Sequence, residues 1–266
     1  MGAVTHPRLI HGTATPEAAW QAWLKTDGIA TVSLQEWLQT NVRLVVIAPH
    51  PDDEVLACGG LMSMHRAQCG EILVIAVTDG EASHGTSSRQ QASSLAQTRR
   101  AERNAGLQRL GLHETCVTRL ATPDGQVAQH TLRLARQLQS LLRPRDLVVT
   151  TWRFDGHPDH EATGLAASLA CLTVGCRLIE APVWMWHWAT PGDLFVPWHR
   201  LQRLPLMPQA SNCKRLALAA HASQLDPLTR PEGPVLGPAI VARANWSDEY
   251  FFIDQAHDHA THAQLL

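Results

Sequence analysis

The sequence predicts an α/β protein, Rossmann-like and doubly wound, with a mainly parallel sheet flanked by helices. Three observations support this prediction. Short apolar runs of strand length alternate with longer segments of helical period from residue 42 onward. The length of 266 residues suits one large domain, and no internal repeat or flexible linker divides it. We therefore expect one α/β domain over residues 41–266, preceded by an N-terminal helical extension over residues 1–40.

The individual elements follow from local signals along the chain. In the extension, Thr15-Pro16-Glu17 opens one helix, and the capping box Ser33-Leu34-Gln35-Glu36 opens a second. Apolar and β-branched runs predict strands at residues 43–48, 72–77, 115–120, 147–151 and 177–183. Helical periodicity predicts helices at residues 54–68, 95–110, 127–142 and 160–174.

Two segments interrupt this alternation. Residues 78–94 are rich in Gly, Ser and Gln and are predicted to form a polar loop. Residues 184–208 contain four Trp and four Pro and are interpreted as a loop or hairpin that could wall a pocket. Trp184, Trp186 and Trp188 alternate with other residues, which suits a strand with one aromatic face. Stacking on a sugar ring and packing in the core are both open for these rings.

Composition excludes several classes of protein. A hydrophobic content of 45% and a charged content of 17% indicate a globular protein. The net charge of −2 gives no footprint for nucleic acid or an anionic membrane. The six Cys lack a CxxC pair and are interpreted as reduced. Without a visible signal peptide or an apolar stretch of membrane-spanning length, the expected location is cytoplasmic. Exposed tryptophans would favour a homo-oligomer.

Two clusters of His and Asp follow predicted strands. His50-Pro51-Asp52-Asp53-Glu54 comes after the strand at residues 43–48, and Asp155-Gly156-His157-Pro158-Asp159-His160 comes after the strand at residues 147–151. The carboxyl ends of parallel strands lie on the same edge of a sheet, so the two clusters can converge. One such loop could be an ordinary turn, but two at corresponding points predict a metal site. Histidine and carboxylate ligands favour zinc and also admit Fe²⁺, Co²⁺, Ni²⁺ or Mn²⁺.

These two clusters, in this order, resemble the LmbE/PIG-L family of zinc-dependent N-deacetylases. Three weaker motifs add to the resemblance, which covers about residues 42–225: Thr78-Asp79-Gly80-Glu81, Arg99-x-x-Glu102 and Lys214-x-x-Ala217-x-x-x-His221-x-Ser223-Gln224. The family includes sugar deacetylases of mycothiol, bacillithiol and glycosylphosphatidylinositol synthesis. The resemblance therefore implies a hydrolase that deacetylates an N-acetylglucosamine-type sugar or glycoconjugate. An amidase for a larger acyl or thiol conjugate, and a metal-binding or sugar-binding module without catalysis, are the alternatives.

The resemblance also implies a role for each residue of the two main motifs. His50, Asp53 and His160 would bind zinc, and Asp52 would act as the general base on the attacking water. His157, if protonated, would stabilise the oxyanion.

The remaining candidate residues have less definite roles. Asp159 could orient a histidine ligand from behind. Asp155 stands where some family members carry Tyr, and is a candidate for substrate binding or for a hydrogen bond to His157. Glu81 and Arg99 are further candidates for substrate contacts. Glu54 is interpreted as a first-turn residue favoured by the helix dipole.

Overall fold

The computed structural model describes residues 8–10, 12–26, 28–38, 42–85, 88–227 and 233–253. Within them, helices flank a mixed sheet of eight strands, most of them parallel. The strands are β1 (Ala30–Thr31), β2 (Leu44–Ala48), β3 (Ile72–Ala76), β4 (Val117–Arg119), β5 (Leu147–Thr151), β6 (Arg177–Ala181), β7 (Leu201–Pro205) and β8 (Asp248–Ile253). The helices are α1 (Glu17–Trp23), α2 (Leu34–Trp37), α3 (Asp53–Ala67), α4 (Arg89–Arg109), α5 (Thr131–Leu141), α6 (Pro158–Val174), α7 (Met185–Trp188), α8 (Pro208–Leu218), α9 (Ala222–Leu225) and α10 (Pro238–Ala244). The predicted fold class is confirmed.

The sheet has the strand order β1-β7-β8-β6-β5-β2-β3-β4. All its pairs are parallel except those of β8, which runs antiparallel to both β6 and β7. Strand β2 lies between β3 and β5, with Leu44 opposite Ile72 on one side and Leu147 on the other. Strands β2 to β6 are the five that the sequence predicts. Because β2 and β5 are neighbours, the loops that follow them meet at one edge of the sheet.

The central strands are buried on both faces of the sheet. Along β2, Leu44 and Val46 pack into one hydrophobic cluster, whereas Val45 and Ile47 pack into the cluster on the opposite face. Because β2 is buried on both faces of the sheet, its sequence is apolar at every position and does not alternate. The rigid sheet gives the loops at its edge fixed starting points.

Two helices begin earlier than the sequence predicts. Helix α4 begins at Arg89, where the Ser88 hydroxyl accepts a hydrogen bond from the Gln91 backbone amide at 3.2 Å. Residues 89–94, which the sequence assigns to a polar loop, therefore form the exposed first part of this helix. Helix α6 begins at Pro158, and His157 is its N-cap residue.

The Trp-rich segment was predicted as a strand, loop or hairpin, and the strand interpretation is wrong. Trp186 and Trp188 lie in the single turn of α7. The Trp186 ring packs edge-on against Trp20 of α1 and against Trp246, each with ring centroids 5.0 Å apart. In this turn Trp186 packs into the aromatic cluster while Trp188 Nε1 donates to the Asp155 carbonyl at 2.8 Å, whereas a strand would place both rings on one face. Strand β7 then follows within the same segment.

The N-terminal region contains both predicted helices. Ser33 and Glu36 form the complete capping box at the start of α2, with the Ser33 backbone amide 2.6 Å from Glu36 Oε2. This region also contributes β1, which pairs with β7. The division of the chain at residue 40 stays a prediction.

The cysteine thiols and the lengths of the helices bear on two further expectations, reduced cysteines and no membrane-spanning segment. All six cysteines lie in the described part of the chain and are free thiols, with Cys58, Cys171 and Cys176 buried. None of the helices in the described ranges is both long and apolar enough to cross a membrane.

Helix α3 contains an internal break that is stabilised by a buried ion pair. Cys58 has non-helical backbone angles (φ −150°, ψ 29°), so the next residues expose amides that have no helical partner. The backbone amides of Gly60 and Leu61 donate to the Glu249 carboxylate at 2.7 and 2.8 Å. Lys214 Nζ lies 2.7 Å from the same carboxylate. Glu249 thus ties α3, α8 and β8 together.

We expect Glu249→Gln to lower the free energy of unfolding by about 3–5 kcal/mol, because it leaves the Lys214 ammonium buried without its counter-charge. Glu71→Gln is the matched control, since Glu71 pairs with Arg143 across an exposed surface, both side chains being 61% exposed. That control should change the free energy by less than about 0.5 kcal/mol. Urea unfolding of both variants checks this, and equal small effects would contradict it.

Candidate active site

The loops after β2 and β5 bring the two His/Asp clusters together, as the sequence predicts. The ring centroids of His50 and His157 are 4.9 Å apart, and those of His157 and His160 are 4.8 Å apart. His50 and His160 complete the triangle at 5.3 Å. Residues separated by more than a hundred positions in sequence thereby form one site at the carboxyl edge of the sheet.

Three potential metal-ligand atoms converge in this site. Asp53 Oδ2 lies 3.1 Å from His50 Nδ1 and 3.2 Å from His160 Nε2. All three side chains are almost completely buried, at 11% exposure or less. Two imidazoles and one carboxylate with room for a further ligand are the donor set of catalytic zinc sites.

Carboxylates also hold the opposite nitrogens of both rings. His160 Nδ1 lies 2.8 Å from Asp155 Oδ2. His50 Nε2 lies 3.1 Å from Asp124 Oδ1 and 3.3 Å from Asp159 Oδ2. Metal-binding histidines usually have such a partner, which fixes the tautomer and the ring orientation.

The electrostatics of the cluster favour bound positive charge. Burial works against ionisation, but the charge of His160 and hydrogen bonds from both rings hold the pKa of Asp53 well below its usual range. Burial also opposes protonation of His160, yet Asp53 and Asp155 raise its pKa to about 9. The rings therefore bind protons strongly at the nitrogens that a metal ion would need, so a metal would exchange with those protons.

Two groups of side chains in the described residues could each hold a metal ion: His50 with His157 and His160, and His50 with Asp124 and Asp159. Neither group includes Asp53. The first group has His157 in its place, and the hydrogen bond of the His157 ring shows which of its nitrogens carries the proton. His157 Nδ1 accepts a hydrogen bond from the Asp159 backbone amide at 3.2 Å, so the neutral ring carries its proton on Nε2. Burial, followed by the charges of His160 and His50, lowers the pKa of His157 to about 2. His157 is therefore a neutral N–H donor, not the protonated ring considered from the sequence.

Asp159 is fully buried, and its carboxylate is committed to backbone amides. It accepts from Gly125 at 2.7 Å and from Val127 at 3.1 Å. Its remaining contact is with His50, which agrees with the predicted position behind a histidine.

Asp52 lies beside the cluster in a strained backbone conformation. Its φ of 138° is unusual for a residue with a side chain, and it falls at the junction between β2 and α3. Burial raises the pKa of Asp52 to about 7, against the opposing charge of Arg99. A carboxylate with a pKa near neutrality is well suited to accept a proton.

Arg99 is a buried residue that contacts Asp52. Arg99 is 2% exposed, and its Nη2 donates to Asp52 Oδ2 at 3.0 Å and to the Pro51 carbonyl at 2.9 Å. Nη1 donates to the Gly80 carbonyl at 3.0 Å. These bonds give Arg99 a role in holding Asp52, and a contact between Arg99 and the substrate stays a prediction.

Asp155 also differs from its predicted position. The hydrogen bond to His157 is wrong, since the carboxylate binds His160 instead. Asp155 is completely buried and offers no surface to a substrate. Its other contacts are the backbone amides of Val183, Trp184 and Met185.

Glu54 lies in the first turn of α3 as predicted, but its side chain turns into the protein. It is completely buried, and Oε2 accepts from the Asp52 backbone amide at 3.3 Å. Burial raises the pKa of Glu54 to about 7, with the nearby charge of Arg103 acting in the opposite direction. Glu54 therefore supports the strained backbone of Asp52.

Asp124 is a site residue that the sequence reasoning missed. It lies in the turn after β4, and its carboxylate contacts His50 and accepts from the Ala82 backbone amide at 2.8 Å. Glu81 stabilises this turn, because its carboxylate accepts a hydrogen bond from the Asp124 backbone amide at 2.9 Å. Glu81 is not among the described residues that line the cavity. Asp124-Gly125 lies four residues after the predicted strand at residues 115–120, so the strand-end argument used for the other two loops could have found it.

The site opens into a cavity of about 920 Å³. His50, Asp52, Asp53, His157 and His160 all line it, together with Arg99 and Asp124. A small molecule entering the cavity therefore meets both the candidate base and the candidate metal ligands.

Comparisons with known proteins agree with this fold. Residues 45–171 match the PIG-L family, described as GlcNAc-PI de-N-acetylase. No match is found among curated proteins.

Three solved structures are similar in fold. The A40926 pseudoaglycone deacetylase is 22% identical with a TM-score of 0.60, covering 80% of this chain and 97% of that chain. The zinc-inhibited form of teicoplanin deacetylase is 18% identical with a TM-score of 0.58, covering 79% and 97%. The N,N'-diacetylchitobiose deacetylase from Pyrococcus horikoshii is 18% identical with a TM-score of 0.58, covering 94% and 96%. Over residues 45–171, slightly less than half of its length, this chain is similar to the PIG-L family.

Proposed function

We propose that this protein is a metal-dependent hydrolase that removes the acyl group from an N-acylated amine, with an N-acetylglucosamine-type sugar or glycoconjugate as substrate. The observation that carries the proposal is the position of Asp52, a buried carboxylate with a raised pKa beside three converging ligand atoms on a cavity floor. The match to the GlcNAc-PI de-N-acetylase family and the similarity in fold to an N,N'-diacetylchitobiose deacetylase support the choice of substrate.

The side chains present fit a divalent metal ion. His50, Asp53 and His160 would hold it, because their donor atoms converge and the opposite ring nitrogens are already held by carboxylates. A bound ion would polarise the amide carbonyl and lower the pKa of water. Zinc suits this donor set best, and Fe²⁺, Co²⁺, Ni²⁺ or Mn²⁺ are the alternatives.

The remaining steps fall to Asp52 and His157. Asp52 accepts the proton of the attacking water, and Arg99 fixes the carboxylate in the required orientation. His157 donates its Nε2–H toward the oxyanion that develops on the amide oxygen. The leaving amine takes up a proton from Asp52, which returns to its ionised form.

We expect the purified protein to bind about one divalent ion per chain and to release acetate from N-acetylated amino sugars. A chelator should abolish the release, and one equivalent of zinc should restore it. Excess zinc is avoided in the assay, because one structural neighbour is described as a zinc-inhibited form. Metal binding without hydrolysis of any amide would favour the non-catalytic alternative, and absence of bound metal would overturn the proposal.

A further inference from the structure

The cavity has a polar floor and a largely apolar wall. The Asp and Arg residues among its described lining are Asp52, Asp53, Arg99 and Asp124, and all four belong to the site on the floor, as do His50, His157 and His160. Elsewhere the lining is mostly apolar or small, and its polar side chains there are Ser83, His187 and Gln224. We call its larger hydrophobic members the apolar wall: Ile10, Leu56, Trp184, Val235, Leu236 and Ile240.

The apolar wall is an ordered part of the fold. The Leu236 backbone amide donates to the Gln224 carbonyl at 2.9 Å, which fixes the segment before α10. Ile240 lies in α10, and both side chains are nearly buried, at 4% and 5% exposure. Leu56 lies on α3 directly after the candidate ligands, so the wall is continuous with the floor.

The size of the cavity exceeds the need of a single acetamido sugar. At about 920 Å³ it lies near the upper end of the range of roughly 300–1,000 Å³ that holds drug-sized ligands. A sugar seated on the polar floor would leave much of the volume unfilled. The unfilled part offers hydrophobic contact from six large side chains and no Asp, Glu, Lys or Arg among its described lining, so a charged group would be poorly matched to it.

We propose that the substrate carries an extended apolar group next to its N-acylated amine, and that the apolar wall binds this group. The inference rests on the proposed function for the reaction, and adds the chemical class of the remaining part of the substrate. The apolar group can belong to the aglycone or to the acyl chain, since either would extend from an amide placed on the floor.

Three probes test the proposal: methyl and octyl glycosides of N-acetylglucosamine, and the methyl glycoside of N-octanoylglucosamine, all kept below micelle-forming concentrations. We expect kcat/KM for one of the octyl compounds to exceed that of the methyl N-acetyl glycoside by about tenfold or more, because each buried methylene group contributes to binding. The preferred compound identifies the source of the apolar group. Values for both octyl compounds at or below that of the methyl compound would overturn the proposal.

Two substitutions in α10 provide a matched comparison. Ala239 lines the cavity, whereas Ala242 lies on the same helix, is equally half-buried and is outside the lining. Ala239→Glu should reduce the ratio of kcat/KM for the preferred octyl compound to that for the methyl compound to about one, by placing a charge in the cavity next to Ile240 of the wall. Ala242→Glu should leave the preference unchanged. Thermal unfolding of both variants confirms that they are folded, and loss of preference in both would contradict a role specific to the wall.

Binding measurements separate this proposal from the proposed function. Isothermal titration calorimetry on Asp52→Ala compares the dissociation constants of the octyl and methyl compounds without turnover. A tenfold or tighter binding of an octyl compound supports the apolar wall, even if the wild-type protein hydrolyses none of the amides and the proposed function fails. Hydrolysis of all three compounds with equal dissociation constants would overturn the apolar wall and leave the proposed function standing.

Discussion

Replacing Asp52 by alanine is expected to lower kcat for amide hydrolysis by roughly 10²–10⁴-fold, the usual contribution of a general base, while the protein retains about one metal ion per chain. Asp52 is the buried carboxylate whose pKa is raised to about 7, and it does not contact the imidazoles that converge on Asp53. Its removal should therefore eliminate proton transfer without removing a ligand. Initial rates of acetate release and metal analysis of the same sample check both parts.

Two further variants separate the chemistry of Asp52 from its structural effects. Asp52→Asn keeps the shape and an oxygen that can accept the Arg99 hydrogen bond, but it cannot take up the proton, so it should be as inactive as Asp52→Ala. Asp52→Gly tolerates the φ of 138° and should be inactive but at least as stable as Asp52→Ala. An active Asp52→Asn protein would rule out the general-base role. Loss of metal from Asp52→Ala would mean that Asp52 and Asp53 exchange their assigned roles.

The sequence predicted the part of the site that depends on strand order in a parallel sheet. The apolar runs of β2 and β5 are unambiguous because both strands are buried on both faces, so their carboxyl ends could be placed on one edge. The convergence of His50 and His160 follows from that placement. Asp124 escaped notice because β4 has only three residues and the turn after it carries one acidic side chain, a weak signal beside two His/Asp clusters.

The partners of these side chains required the three-dimensional structure. Asp155 could have paired with either histidine of its loop, and only the start of α6 at Pro158 decides in favour of His160. Arg99 stands on a helix that reads as a solvated face, yet its guanidinium turns inward to Asp52. The tryptophans of α7 alternate over one helical turn, a length at which the periods of strand and helix cannot be distinguished.

Replacing His160 by alanine is expected to abolish stable metal binding, since it removes one of three proposed ligands and the one most completely buried. Asp155→Asn should have a graded effect, weakening metal affinity by about 10–100-fold, because Asp155 orients His160 without touching the ion. Competition with a chromogenic zinc chelator measures both affinities. Circular dichroism of each variant establishes that the fold is retained.

His157→Ala is the matched control, because it removes a neighbouring imidazole whose Nδ1 is already committed to the Asp159 backbone amide. This variant should keep its metal and lose activity, since the donor to the oxyanion is gone. Loss of metal from both His157→Ala and His160→Ala would assign the ion to the three-histidine group. Retention of metal by His160→Ala, with loss from Asp124→Ala, would place the ion on the opposite side of the His50 ring, between Asp124 and Asp159. The pattern across these variants therefore identifies which nitrogen of His50 binds the ion.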